Sequence, residues 1–224
     1  MFIGHYSTAF IAKRIAPAIS LPIWFVACQA IDLLWGSLVL LGVEKLHVIP
    51  HFTASNAFDL YFMPYTHSLP ATIGWSLATA LLFWLFSPST FPQRTRTAVV
   101  LGLVVASHWL LDLVVHIPDL PLWFDSEKVG MGLWNYRYPA LLLELGLLWI
   151  GIWLSLTVAA ENRGRYLLLG TGMSVVQLLS LVLQPPTDMQ VASNLLFSSL
   201  LLTAAAYWAG KPQRTSAACR QASP

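Results

Sequence analysis

The chain has 224 residues, of which 57% are hydrophobic and only 10% charged, with a net charge of +2. A soluble domain carries about 25% charged residues, so the composition excludes a water-soluble globule and points to an integral membrane protein. The ten tryptophans suit two interfacial aromatic belts, the two cysteines offer no disulfide framework, and no nucleic acid is expected as a partner.

The first stretch, "MFIGHYSTAFIAKRIAP", gives about fifteen helical residues, roughly 22 Å of helix, which is too short to cross a bilayer. Either it lies on the inner surface as an amphipathic helix, or it dips into the outer half of the membrane with Lys13 and Arg14 snorkelling inward. Only the second arrangement places His5 deep. Six stretches then meet the length and apolarity of a spanning helix, at 20–43, 68–88, 97–117, 138–160, 166–184 and 190–209. In the first, "FVACQ" has the look of a lipoprotein cleavage box around Cys28, but the apolar run continues to Val43, so a retained span is expected. Breakers separate the spans: "SPSTFPQ" from Ser87, "HIPDLP" from His116, "QPP" from Gln184, and Gly210 before Pro212. The expected fold is an all-α polytopic bundle: a short N-terminal helix plus about six spans in a single domain, 1–210. A disordered, basic cytoplasmic tail, 211–224, follows it and contains Cys219.

Alternation of six spans places Lys13, Arg14, Arg94, Arg96, Arg163, Arg165, Lys211, Arg214 and Arg220 on one side. The other side holds Glu44, Asp59, Asp119, Asp125, Glu127 and Asp188, with Lys45, Lys128 and Arg137 as its basic residues. The positive-inside rule makes the first side cytoplasmic. The two long connections, 44–67 and 118–137, are then on the outer face, where loops of that length tend to be functional. "GLWNYRYP" from Gly132 reads as an aromatic interfacial anchor.

An ionisable side chain inside a span costs about 2.5–3.5 kcal/mol on insertion scales, so each one is a functional hypothesis. "SHWLLDLVVH" places His108, Asp112 and His116 four residues apart on one helix face. Neighbours in that stripe are about 6 Å apart along the axis and the outer two about 12 Å, so two can share one ion and three cannot. Asp112 at the centre suits a bridge between two ions. Imidazole with carboxylate suits zinc or a similar divalent metal. Glu144 lies about 9 Å below the outer end of its span, level with Asp112, and could pair with Arg137, bind metal or act in catalysis. Asp32 is near the middle of the first span and His67 opens the second. His47 and His51 read as solvated loop residues, and Gln177 and Asn194 as interhelical hydrogen-bond formers.

Taken in order, "GHYS" at Gly4, "AID" ending at Asp32, "YTHSLP" around His67 and "SHWLLD" from Ser107 resemble the bacterial inner-membrane metal-dependent hydrolases described as LexA-binding. That family is marked by a GH start, an acidic PDxD-like segment, a THSL motif and an SHxxxD motif. The resemblance covers about residues 1–120 and implies His5, Asp32, His67, His108 and Asp112 as ligands. The chain has "CQAIDLLWG" where the family has a proline and two acidic residues, so one carboxylate is missing. A remoter likeness is to zinc-dependent phospholipases C. The whole chain resembles a group of bacterial polytopic membrane proteins sharing "SHSL" and "SHWLLDL".

These readings predict an inner-membrane hydrolase with one or two Zn²⁺ ions. His5, Asp32, His67, His108, Asp112 and His116 hold metal, and Glu144 with Asp112 serves catalysis. The substrate is a lipid or lipid-linked ester reached from the outer face among membrane lipids. Two competing readings stay open. One is a small proton- or metal-ion-coupled transporter, which the nearly pure hydrocarbon of the inner halves disfavours. The other is a non-catalytic protein with a structural metal.

Overall fold

The computed structural model describes residues 1–183 and 186–212; most of the expected tail, with Cys219, falls outside them. The chain is mostly helical. A 3₁₀ turn at Ile3–His5 leads into α1 (Tyr6–Ile15), followed by α2 (Leu21–Cys28) and α3 (Ala30–Leu40). Next come α4 (Leu69–Phe86), α5 (Arg94–Val115), α6 (Arg137–Ser155), α7 (Arg163–Ser180) and α8 (Asp188–Gly210). Two antiparallel hairpins, β1 (Lys45–Val48) with β2 (Phe58–Phe62) and β3 (Leu120–Trp123) with β4 (Ser126–Val129), occupy the two long connections. The architecture is therefore helical with two small sheets. Strand signals of four or five residues were too short to stand out from apolar surroundings.

Four helices, α4, α5, α6 and α8, are long and apolar enough to cross a membrane, and α2 with α3 makes a fifth if the bent pair counts as one span. That pair bends by 56° at Gln29, where the sequence suggested one straight helix. The 18-residue α7, expected as another span, is not among them. It carries Arg163 and Arg165 at its start and Thr171, Ser174, Gln177 and Ser180 along its length.

The structure buries α1 and His5 among the other helices, which fits the second of the two arrangements open to the N-terminus. α1 packs on α2, α5 and α6, with Tyr6, Ala9 and Phe10 fully buried. Gly151 makes this possible. A β-carbon there would lie 2.7 Å from the Ser7 carbonyl oxygen and 2.8 Å from its Cα, so the α1 and α6 backbones touch where a side chain would hold them apart. At the other end of α1, Lys13 donates to the carbonyls of Pro17 and Ile19.

Two apolar clusters divide the bundle. One centres on Tyr6, Phe10, Trp24, Phe25, Val105, Leu148 and Tyr166; the other, on the hairpin side, on Trp35, Met63, Trp109, Val115, Leu120 and Trp134. The ionisable residues fall at their junction. Asp32 lies between Ile31 and Trp35 on α3, His108 between Val105 and Trp109 on α5, and Glu144 between Leu148 and Ala140 on α6. Each helix thus changes from one cluster to the other at its polar residue.

The hairpins cover this junction. Lys128 in β4 donates to the Tyr61 carbonyl in β2, tying one hairpin to the other. The chain leaving β4 lies against the end of α5, where Met131 and Gly132 donate to the carbonyls of Leu113 and His116. A β-carbon on Gly130 would sit 2.1 Å from the Ile117 carbonyl oxygen, so only glycine lets the chain lie that close.

Candidate metal centre

Each candidate side chain is set by local backbone chemistry. His67 precedes the N-cap of α4: the Ser68 hydroxyl accepts from the Ala71 N–H and donates to the Pro64 carbonyl, and Pro70 suits the first turn. His116 is the C-cap of α5, where extended backbone and Pro118 end the helix. Asp32 occupies the first turn of α3, just past the bend at Gln29. His5 enters on the turn preceding α1. Glu144 holds that turn in place: its Oε2 accepts from the Phe2 N–H at 3.0 Å and the Gly4 N–H at 3.3 Å.

The structure brings His5, Asp32, His67, His108, Asp112 and His116 together. All are buried except for a small part of Asp32, whose side chain is 13% exposed against 5% or less for the others. The expected opening to one face is thus narrow, because the hairpins lie over the junction. Asp112 is the centre, and its two oxygens face different partners. Oδ2 is 3.1 Å from His108 Nε2 and 3.7 Å from His67 Nε2. Oδ1 is 3.1 Å from His5 Nε2, 3.7 Å from His116 Nε2 and 2.7 Å from the Met1 amino nitrogen. Asp32 Oδ1 completes the first group, 3.4 Å from His67 Nε2 and 3.5 Å from His108 Nε2.

These spacings can be compared with what a metal needs. Zinc bonds of about 2.0–2.2 Å in a tetrahedron hold neighbouring ligand atoms about 3.3–3.6 Å apart. Four edges joining His67, His108, Asp32 and Asp112 measure 3.4, 3.7, 3.5 and 3.1 Å. Three of these residues, His67, His108 and Asp112, offer ligand atoms that all lie within 4.8 Å of one another, a donor set that fits a small divalent ion. His5, Asp32 and His108 form a second such group, so the two groups share His108.

Proton placement supports the same fit. The Cys28 carbonyl lies 3.1 Å from His108 Nδ1 and can only accept, so Nδ1 carries a proton. His108 Nε2 is then buried without a hydrogen-bond partner, beside two carboxylates. A lone pair in that position requires a cation, or the ring itself must be charged. His116 repeats the pattern: Asp119 Oδ1 accepts from its Nδ1 at 2.8 Å, turning Nε2 toward Asp112. A ligating histidine whose other nitrogen donates to a carbonyl or carboxylate is the usual outer support of a metal site. The rings of His5 and His108 stack with centroids 3.7 Å apart, and Trp134 lies 4.2 Å from the His116 ring.

Several supporting groups had weak or absent sequence signals. Asp119 follows His116 by three residues in "HIPD", a spacing that was available to be used. Thr66 sits beside His67, while Glu44 comes from the far end of the hairpin connection. Glu44 accepts from the N–H groups of Tyr65 and Thr66 and from the Thr66 hydroxyl. Burial pushes the Glu44 carboxyl above its ordinary pKa, and those donors together with the nearby His67 pull it back.

Other expectations are corrected. Arg137 donates to the Ala54 carbonyl and leaves Glu144 to the N-terminal turn. Trp134, read as part of an interfacial anchor, is buried against His116, while Tyr136 and Tyr138 are exposed. Gln177 and Asn194 make no side-chain hydrogen bond among the described residues. As expected of solvated residues, His47 and His51 are both exposed, His47 3.5 Å from Asp188 and stacked on Tyr61, and His51 at φ 62°. In comparisons with known proteins, no family model, no curated protein and no solved structure matches this chain.

Proposed function

We propose that the protein is a membrane-embedded metal-dependent hydrolase of a bacterial inner membrane. Zinc is the first candidate metal, and an ester or phosphoester of a lipid or lipid-linked molecule is the substrate. The observation that carries the reading is the triad of His67, His108 and Asp112, whose ligand atoms all lie within 4.8 Å of one another, with Asp32 Oδ1 3.4 and 3.5 Å from the two histidines. His5 and His116 face the second oxygen of Asp112 and provide the beginnings of a second position. The likeness of "THSL" and "SHWLLD" to the inner-membrane hydrolases supports the same residues. The chain after α7 meets the first hairpin, where Asp188 accepts from the Val48 N–H, and the start of α7 meets the end of α8, where Arg165 donates to the Lys211 carbonyl. With α7 counted as a sixth crossing, the segregation of basic residues favours hairpins on the outer side and a cytoplasmic C-terminus.

A metal held here would lower the pKa of a bound water toward 7 and polarise the scissile carbonyl or phosphoryl oxygen. The chain's own residues set the conditions. The two apolar clusters exclude water from the junction and strengthen its electrostatics. Asp32, the most exposed ligand, marks where water and substrate arrive. Glu144 fixes the segment that carries His5. A structural metal is the second reading, favoured by the near-complete burial of His67, His108 and Asp112.

Metal analysis of the purified protein beside His108→Ala tests the reading. Bound divalent metal in the wild type and its loss in the variant are expected. Hydrolysis of a phospholipid panel, against metal uptake into proteoliposomes, then separates hydrolase from transporter. Bound metal with neither activity identifies a structural site.

A further inference from the structure

Glu44 lies between α3 and β1, 23 positions before His67 in the sequence, yet its carboxylate closes on the segment that carries that histidine. Oε1 accepts from the N–H groups of Tyr65 at 2.7 Å and Thr66 at 3.0 Å. Oε2 lies 2.6 Å from the Thr66 hydroxyl, and that hydroxyl lies 2.9 Å from His67 Nδ1. Glu44, Thr66 and His67 are buried.

A threonine hydroxyl has one proton to give, whereas an ionised carboxylate can only accept. The Thr66 proton therefore points at Glu44, and the oxygen lone pair left over faces His67. Nδ1 must then be the donor. With its proton on Nδ1, a neutral His67 has its lone pair on Nε2, the atom 3.4 Å from Asp32 Oδ1 and 3.7 Å from Asp112 Oδ2. The opposite arrangement would put an N–H where a metal has to bind.

We propose that Glu44, acting through Thr66, is a positioning residue that fixes the metal-competent tautomer of His67. This rests on the metal-centre reading above. It also links the cover to the site, because the carboxylate that sets the histidine is the one that joins the start of the first hairpin connection to its end.

The inference makes a polarity prediction. In Glu44→Gln, the two backbone N–H groups at Oε1 keep the amide oxygen in that place, so the NH₂ must face Thr66. Thr66 then accepts from the amide and turns its own proton onto His67 Nδ1, moving the histidine proton to Nε2. Thr66→Val removes the link while leaving the backbone bonds to Glu44. Thr66→Ser keeps the link.

The experiment pairs two measurements on full-length protein in detergent micelles: zinc affinity by chelator competition, and the tautomer of His67 by ¹⁵N NMR. The NMR is done on metal-free protein at about pH 8.5, above the ordinary histidine range. Expected are an Nδ1–H tautomer in the wild type, an Nε2–H tautomer in Glu44→Gln, and zinc binding weakened about 10–100-fold in Glu44→Gln and Thr66→Val. Thr66→Ser restores near-wild-type affinity. An Nε2–H His67 in the wild type, or a Glu44→Gln protein with unchanged tautomer and affinity, overturns the proposal. A wild type that takes up no zinc yet shows the predicted tautomers refutes the metal centre and sustains the relay.

Discussion

The helices α4 and α5 pack along one another, and both read as spans, yet only 11% of the apolar window of α4 is buried against 44% for α5. The buried helix is the one that carries His108, Asp112 and His116, while α4 carries no ionisable side chain. In water the inside of a protein is the apolar side. Here α4 presents Leu77, Leu81, Leu82 and Leu85 outward, and the polar groups are gathered inside, where partners can satisfy them. Apolarity therefore marks both helices as spans, and the ionisable stripe tells which one is central.

Breaking that contrast at its centre has the largest expected effect. Asp112→Ala removes the partner of four histidines and the Met1 amino group. Removing one partner of a buried charged network costs about 3–5 kcal/mol, read as a lowered melting temperature in detergent, with complete loss of bound metal. A chelator lowers the melting temperature of the wild type and leaves that of Asp112→Ala unchanged, because only the native site gains stability from the ion.

Next comes Gly151→Val, which drives a side chain into the Ser7 backbone. Overpacking of this kind costs about 1–3 kcal/mol. It also displaces the turn bearing His5, so zinc affinity falls although no candidate ligand is altered. Ser68→Ala on α4 loses an N-cap worth about 1 kcal/mol and loosens His67 next to it. Leu81→Ala, on the exposed face of α4, changes stability by no more than about 0.5 kcal/mol and leaves metal binding intact. A large effect there would show that α4 has an unrecognised protein partner.

The histidines and aspartates of the site were legible because an ionisable residue in an apolar run has no inexpensive explanation. The burial of His5 depends on Gly151, a contact between helices far apart in sequence that no local pattern reveals. The bend at Gln29 was hidden because the apolar run passes through it without proline or glycine. The carbonyl of Cys28, which sets the proton of His108, carries no side-chain signal at all. Glu144 was readable as a buried carboxylate, but its bonds to the Phe2 and Gly4 N–H groups depend on where α1 lies. The hairpins escaped notice because strands this short are set by pairing partners, not by their own periodicity.

The most direct measurement is the metal content of wild-type protein beside Asp112→Ala, purified in parallel without added metal and then dialysed against limiting zinc. The account predicts about one or two divalent ions retained per wild-type chain and none by the variant. A folded wild-type protein that retains no metal, or an Asp112→Ala protein that retains as much as the wild type, would contradict it.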